Sequence, residues 1–146
     1  MKVKQFMTRN PRYLTTSHTV KDALSLMIAH KISGCPVVGN DKRVRGIITQ
    51  SDIMHALDMH RNIIDAKSPL FDLVVRLLSK KDIQPLISHL SSKKVKDIMQ
   101  TDVHTIDENE DMYRAVTLMN KHKIHRLVVV KNGTLAGIIS KKDIIS

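Results

Sequence analysis

The chain has 146 residues, 42% hydrophobic and only 3% aromatic, and its 24 Lys and Arg outweigh 14 Asp and Glu to give a formal net charge of +10. That is enough apolar sequence for one domain, or two small units sharing a core; the single cysteine, Cys35, excludes an internal disulfide, and Arg76, Arg126 and Lys131 interrupt the runs nearest to a membrane span. The positive balance favours phosphate-bearing partners such as nucleotides, nucleic acid or acidic proteins, while the lack of Trp weighs against a single-strand nucleic-acid groove, which needs stacking platforms.

The opening "MKVKQF" enters patterned sequence without a secretory apolar core, so a cytoplasmic, reduced protein with no membrane role is expected. Arg12 to Thr15 reads as a short extended segment, followed by "TTSHT", rich in residues that cap helix amides. Val20, Ala23, Leu24 and Met27 then share the spacing of one buried helix face, and Gly34 is expected to break that helix. Two apolar strands, "CPVV" and "VRGIIT", come next, and Ser51-Asp52 opens a helix with Ile53, Ala56, Leu57 and His60 on one face. Further on, Leu70, Val74, Leu77 and Leu78, then Ile83, Leu86, Ile87 and Leu90, have helical spacing, with Pro69 and Pro85 in first turns after Ser68 and Asp82. Two inserted helices are predicted there, covering sheet or packing in a dimer interface.

From residue 93 the first pattern returns. Val95-Lys96 repeats Val3-Lys4, Met99 repeats Met7, and His122-Lys123-Ile124 repeats His30-Lys31-Ile32, all 92 residues on; the offset falls to 91 at Gly137-Ile138-Ile139 against Gly46-Ile47-Ile48. A one-residue change between two strands belongs in a turn. The second copy has an extended His104 to Ile106, a "DENED" cap and a helix face of Met112, Ala115, Val116 and Met119. Its strands "RLVVV" and "LAGIIS" are joined by Asn132-Gly133, a strong hairpin signal. Lys142-Asp143 starts a last helix, but only three residues follow Asp143, less than the about 3.6 of one turn, so this helix is expected to be short or absent. The organisation is two βαββα repeats, 1–60 and 93–146, around a helical insertion, 61–92, in an α+β fold.

The openings "VKQFMTRNP" and "VKDIMQTDV", the middles "HKISGCPVV" and "HKIHRLVVV" and the endings "GIITQSDI" and "GIISKKDI" resemble the cystathionine-β-synthase-type (CBS) domain pair. The resemblance implies two repeats packed sheet against sheet as a pseudo-twofold pair, with two clefts that hold adenosyl ligands such as AMP, ADP, ATP or S-adenosylmethionine. It also implies a regulatory module: the ligand is a signal and no cofactor is required, the pair forms a homodimer, and a downstream protein reads its shape. The residues themselves offer no nucleophile with an activating base, no glycine-rich phosphate loop and no metal triad, so no enzyme is expected. His122 and His125 lack the Cys or carboxylates that would complete a metal site. A basic nucleic-acid-binding surface and a purely structural dimerisation unit with empty clefts are the alternatives.

A carboxylate in a helix first turn can accept two hydrogen bonds from a ribose diol. Asp52 and Asp143 have that position, each three residues after a hydroxyl, Thr49 or Ser140, that could reach ribose or phosphate. Gly46 and Gly137 would let backbone approach a flat base, with Ile47 and Ile138 as apolar walls. Taken singly, these residues read more readily as helix caps, helix-entry residues and strand irregularities; the ligand reading rests on both copies keeping the pattern and on the resemblance. "KIHRLVVV" is similar to the gamma subunits of AMP-activated kinase, and by that resemblance His125, Arg126 and Lys142 would hold the phosphate of a nucleotide anchored by Thr49 and Asp52. The reciprocal cleft, anchored by Ser140 and Asp143, would meet Ser33, Gly34 and Ser51 and be neutral.

Overall fold

A computed structural model describes residues 1–57, 88 and 90–145 of the chain. After a 3-10 turn at Val3–Gln5, the first half runs β1 (Thr8–Arg9), β2 (Leu14–Thr15), α1 (Val20–His30), β3 (Gly34–Val38), β4 (Val44–Thr49) and α2 (Gln50–Leu57). The second runs α3 (Val95–Ile98), β5 (Thr105–Asp107), α4 (Met112–His122), β6 (Arg126–Lys131), β7 (Thr134–Ser140) and α5 (Lys141–Ile145). The expected α+β order is present twice. The inserted helices expected around Pro69 and Pro85, and the continuation of α2 to His60, lie outside the described residues. Residues 90–92 are helical, and Leu90 is buried in the first core.

Local chemistry explains the helix boundaries. Thr19 caps α1: its Oγ1 accepts the Asp22 N–H at 3.1 Å while the Asp22 carboxylate accepts the Thr19 N–H at 2.9 Å. The Thr19 backbone bond is the main cause that holds the Asp22 carboxyl below its ordinary range. Asp111 caps α4 by accepting the Tyr113 N–H at 2.8 Å. Both helices stop at a lysine in the left-handed region, Lys31 (φ 53°) and Lys123 (φ 55°). The next amide closes each end, from Ile32 to the Met27 carbonyl at 3.1 Å and from Ile124 to the Met119 carbonyl at 3.0 Å. The break expected at Gly34 therefore comes three residues earlier, and Gly34 starts β3. Asn132 (φ 52°) and Gly133 (φ 82°) make the expected tight hairpin, whereas the first copy turns through Gly39 to Arg43.

In one sheet β2 lies parallel to β3, which is antiparallel to β4; in the other β5 lies parallel to β6, which is antiparallel to β7. The two halves exchange their leading segments. β1 crosses to β7, pairing Thr8 with Ile138, and Gln100 crosses the other way to bridge Ile47. The Val3 amide bonds the Glu110 carbonyl, and the Val95 amide bonds the His18 carbonyl, both at 2.9 Å. Val3 and Met7 are consequently buried among Met112, Met119 and Leu127, while Val95 is buried among Val20, Met27 and Ile48. Each core is completed by a residue that the other half supplies.

Candidate functional site: two clefts between the repeats

The hydroxyl-x-x-Asp pattern folds the same way in both repeats. Asp52 Oδ2 accepts the Thr49 N–H at 2.8 Å and the Thr49 hydroxyl at 2.9 Å; Asp143 Oδ2 accepts the Ser140 N–H at 2.8 Å and the Ser140 hydroxyl at 3.1 Å. One oxygen thus closes the turn from strand to helix. The second oxygen is where the repeats diverge. Gln100 Nε2 donates to Asp52 Oδ1 at 3.1 Å and to Oδ2 at 3.3 Å, so both oxygens of Asp52 are engaged. In the other repeat the equivalent crossing residue is Thr8, whose side chain is shorter, and Asp143 lines an open cleft.

That cleft, of about 400 Å³, is bounded by Thr8, Asn10, Pro11 and Arg12, by Lys31, Ile32 and Gly34, and by Arg126, Ile138, Ser140 and Asp143. Its pseudo-twofold mate, of about 170 Å³, is bounded by Ile47, Thr49, Gln100, Asp102, His104, Ile124 and Arg126, with Ile138 at its edge. Small-molecule sites span about 300 to 1,000 Å³, so the first volume is in range and the second falls below it. Charge follows the same division. Arg12, Lys31 and Arg126 line the larger cleft with one carboxylate, Asp143, whereas the smaller one is lined by Arg126 and Asp102. The neutral surroundings expected for Ser140 and Asp143 are therefore not what the structure has. Ser33 and Ser51 are absent from that lining, and Arg12 and Lys31 supply charge there.

The structure does not bring together all the residues assigned to the phosphate. Arg126 lines both clefts, but His125 and Lys142 line neither; the His125 carbonyl accepts the Lys141 N–H at 3.0 Å, holding β6 against the start of α5. Gly46 and Gly137 also have partners other than a base. A Cβ on Gly46 would meet the Gln100 carbonyl at 2.6 Å and Met99 Sδ at 2.7 Å, and on Gly137 Met7 Sδ and the Thr8 carbonyl, both at 2.7 Å. These glycines admit the crossing segments. The Ile47 amide and carbonyl are both bonded to Gln100, at 2.9 and 2.8 Å, which leaves Ile47 to act in its cleft through its side chain.

Arg12, Lys31 and Gln100 are the residues that pattern reading passes over. Aligning the repeats puts Arg12 against His104 and Gln100 against Thr8, and that difference was the available signal. Two further features bound the chemistry. Cys35 borders the smaller cleft, but burial pushes its thiol up to about 12, so no thiolate nucleophile is present at neutral pH. The His104 ring, also on that wall, stacks on His122 with centroids 3.9 Å apart. No helix among the described residues is long and apolar enough to cross a membrane.

Two repeats that complete each other's cores and enclose a pair of clefts define a tandem repeat module. The chain belongs to the CBS-domain family, whose pattern matches residues 3–59 and 95–146. It is similar to an uncharacterised protein of Methanocaldococcus jannaschii, 33% identical over 144 residues that make up 98% of this chain and 36% of that one. It is also similar to the inosine-5'-monophosphate dehydrogenase of Chlorobaculum tepidum, 30% identical over 98% of this chain and 24% of the enzyme. The chain thus spans well under half the length of both relatives. Among solved structures, CBSX2 in complex with AMP superposes with a TM-score of 0.70 at 26% identity, over 99% of this chain and 93% of that one.

Proposed function

We propose that this chain is a regulatory sensor that binds an adenine nucleotide in the cleft of Ser140 and Asp143. One observation carries the reading: three cations, Arg12, Lys31 and Arg126, share an approximately 400 Å³ cleft with one carboxylate whose second oxygen has no partner among the described residues. Membership of the CBS family and the AMP held by CBSX2 support it. The Asp143 carboxylate accepts the ribose diol, the Ile32 and Ile138 side chains flank the base, and the two guanidinium groups grip phosphate oxygens in pairs. AMP, ADP and ATP fit this charge better than S-adenosylmethionine, whose sulfonium adds a positive charge to a positive cleft. Binding transmits a signal to the extent that the ligand prefers one arrangement of the repeats, or of two protomers, over another. No catalytic step is assigned.

Calorimetry with AMP, ADP, ATP, adenosine, S-adenosylmethionine and a short oligonucleotide tests the proposal. A phosphorylated adenosine is expected to bind most tightly, and Asp143→Ala should weaken it by about 1.5–3 kcal/mol, the range for a hydrogen bond to a charged group. Asp52→Ala should have a much smaller effect. Silence from every adenosyl compound at millimolar concentration would leave a structural dimerisation unit. Oligonucleotide binding that falls steeply with salt and ignores Asp143→Ala would favour a nucleic-acid surface instead.

A further inference from the structure

We infer that the Gln100 side chain is a tethered competitor for the smaller cleft: its amide occupies the Asp52 carboxylate that a ribose diol would need, so the protein binds nucleotide at one site per chain rather than two. The inference rests on the nucleotide-binding reading of the larger cleft and adds to it a rule for occupancy.

The geometry is that of a diol surrogate. A ribose offers a carboxylate two adjacent O–H donors. Gln100 offers an amide NH₂ whose nitrogen lies 3.1 Å from Asp52 Oδ1 and 3.3 Å from Oδ2, and so spans both oxygens. Its place is fixed by the backbone, because the Gln100 amide and carbonyl bond the Ile47 carbonyl and amide at 2.8 and 2.9 Å. The Gly46 face that meets the Gln100 carbonyl has no room for any other residue. A side chain so anchored samples the carboxylate from a short tether, which gives it a high effective concentration against a free ligand. Gln100 remains exposed to solvent and is displaceable, so it weakens the site and does not seal it. The pseudo-twofold mate lacks the device: Thr8 pairs with Ile138 on the same crossing path, and its side chain makes no hydrogen bond to Asp143. The difference in cleft volume, about 170 against about 400 Å³, runs in the same direction.

The substitution Gln100→Thr copies the residue at the open cleft. At nucleotide concentrations that saturate the larger cleft, wild-type protein should bind one AMP per chain and Gln100→Thr two. In an Asp143→Ala background, which isolates the smaller cleft, Gln100→Thr should tighten AMP by about tenfold, the equivalent of one charge-assisted hydrogen bond. Two equivalent sites in the wild type, or no gain from Gln100→Thr, overturns the inference and leaves the proposed function standing. A readout without ligand separates the two readings further. The Gln100 side-chain NH₂ resonances, assigned by their loss in Gln100→Thr, should move on Asp52→Ala in the free protein. Indifference to Asp52→Ala overturns the inference whether or not any nucleotide binds. If those resonances move and no nucleotide binds the wild type, the tethered contact stands and the nucleotide reading fails.

Discussion

A methyl group on Gly137 would lie 2.7 Å from both Met7 Sδ and the Thr8 carbonyl, too close to any real Cβ partner. Met7 can shift, but the Thr8 carbonyl is held in the β1–β7 pairing. Gly137→Ala should therefore cost about 1–3 kcal/mol, the usual range for overpacking, and should show in urea melts as a lower midpoint. An unchanged midpoint would mean that β1 is not pressed against β7 in solution. At this scale the sequence was readable where function and local folding coincide. Thr49 with Asp52 and Ser140 with Asp143 could be located because a hydroxyl three residues before a carboxylate closes a strand-to-helix turn, and the turn puts Ser140, Asp143 and Thr49 in cleft linings, with Asp52 bonded to Thr49 and Gln100. Arg12 and Gln100 differ from their repeat mates His104 and Thr8, but their roles, like that of Lys31, arise only where the two repeats meet, a long-range event that leaves no periodicity. His125 and Lys142 were assigned by resemblance to the neighbourhood of Arg126. Arg126, the first residue of β6, lines both clefts, whereas His125 before it and Lys142 in α5 line neither.

Elements were legible from apolar spacing and caps, and the discrepancies have local causes. α1 and α4 end at Lys31 and Lys123, and a left-handed residue without glycine's freedom carries a cost of about 1–2 kcal/mol. The Ile32 and Ile124 amides offset it by bonding carbonyls of the last turn, and both side chains pack on their cores. Nothing in a lysine's propensity announces this. α5 starts two residues before Asp143 and runs over five residues, Lys141–Ile145, so it does complete a turn, and it leaves Ile145 84% exposed. The end of α4 also carries a titrating contact. Desolvation, then the neighbouring charges of His104 and Lys121, lower the His122 pKa, with Asp102 opposing. A histidine whose folded pKa is depressed contributes stability above its unfolded pKa, and that contribution is lost as pH falls through the unfolded and then the folded value. Melting temperature should accordingly decline from pH 8 to pH 5 more steeply in wild type than in His122→Phe, which keeps a ring beside His104 but has no proton to gain. Parallel profiles would dissociate the stack from the acid response.

At the scale of the whole molecule, the repeat was visible in the sequence but the exchange between repeats was not. Self-comparison shows that Val95 repeats Val3; it does not show that Val95 is buried with Val20 and Met27 while Val3 is buried with Met112 and Met119. Shared cores predict a single calorimetric unfolding transition, with Val3→Ala and Val95→Ala each lowering that same transition. Two resolved transitions, each sensitive to only one of these substitutions, would show that the repeats are thermodynamically separate. The exchange also sets a timetable for synthesis. During translation the strands of the first repeat are made by Thr49, yet its core waits for Leu90 and Val95, and the 3-10 turn of Val3 has no docking amides and carbonyls until Glu110 and Met112 are made. Closing such wide loops slows folding more than it weakens the product. The earliest residues of the chain are therefore among the last to find their place.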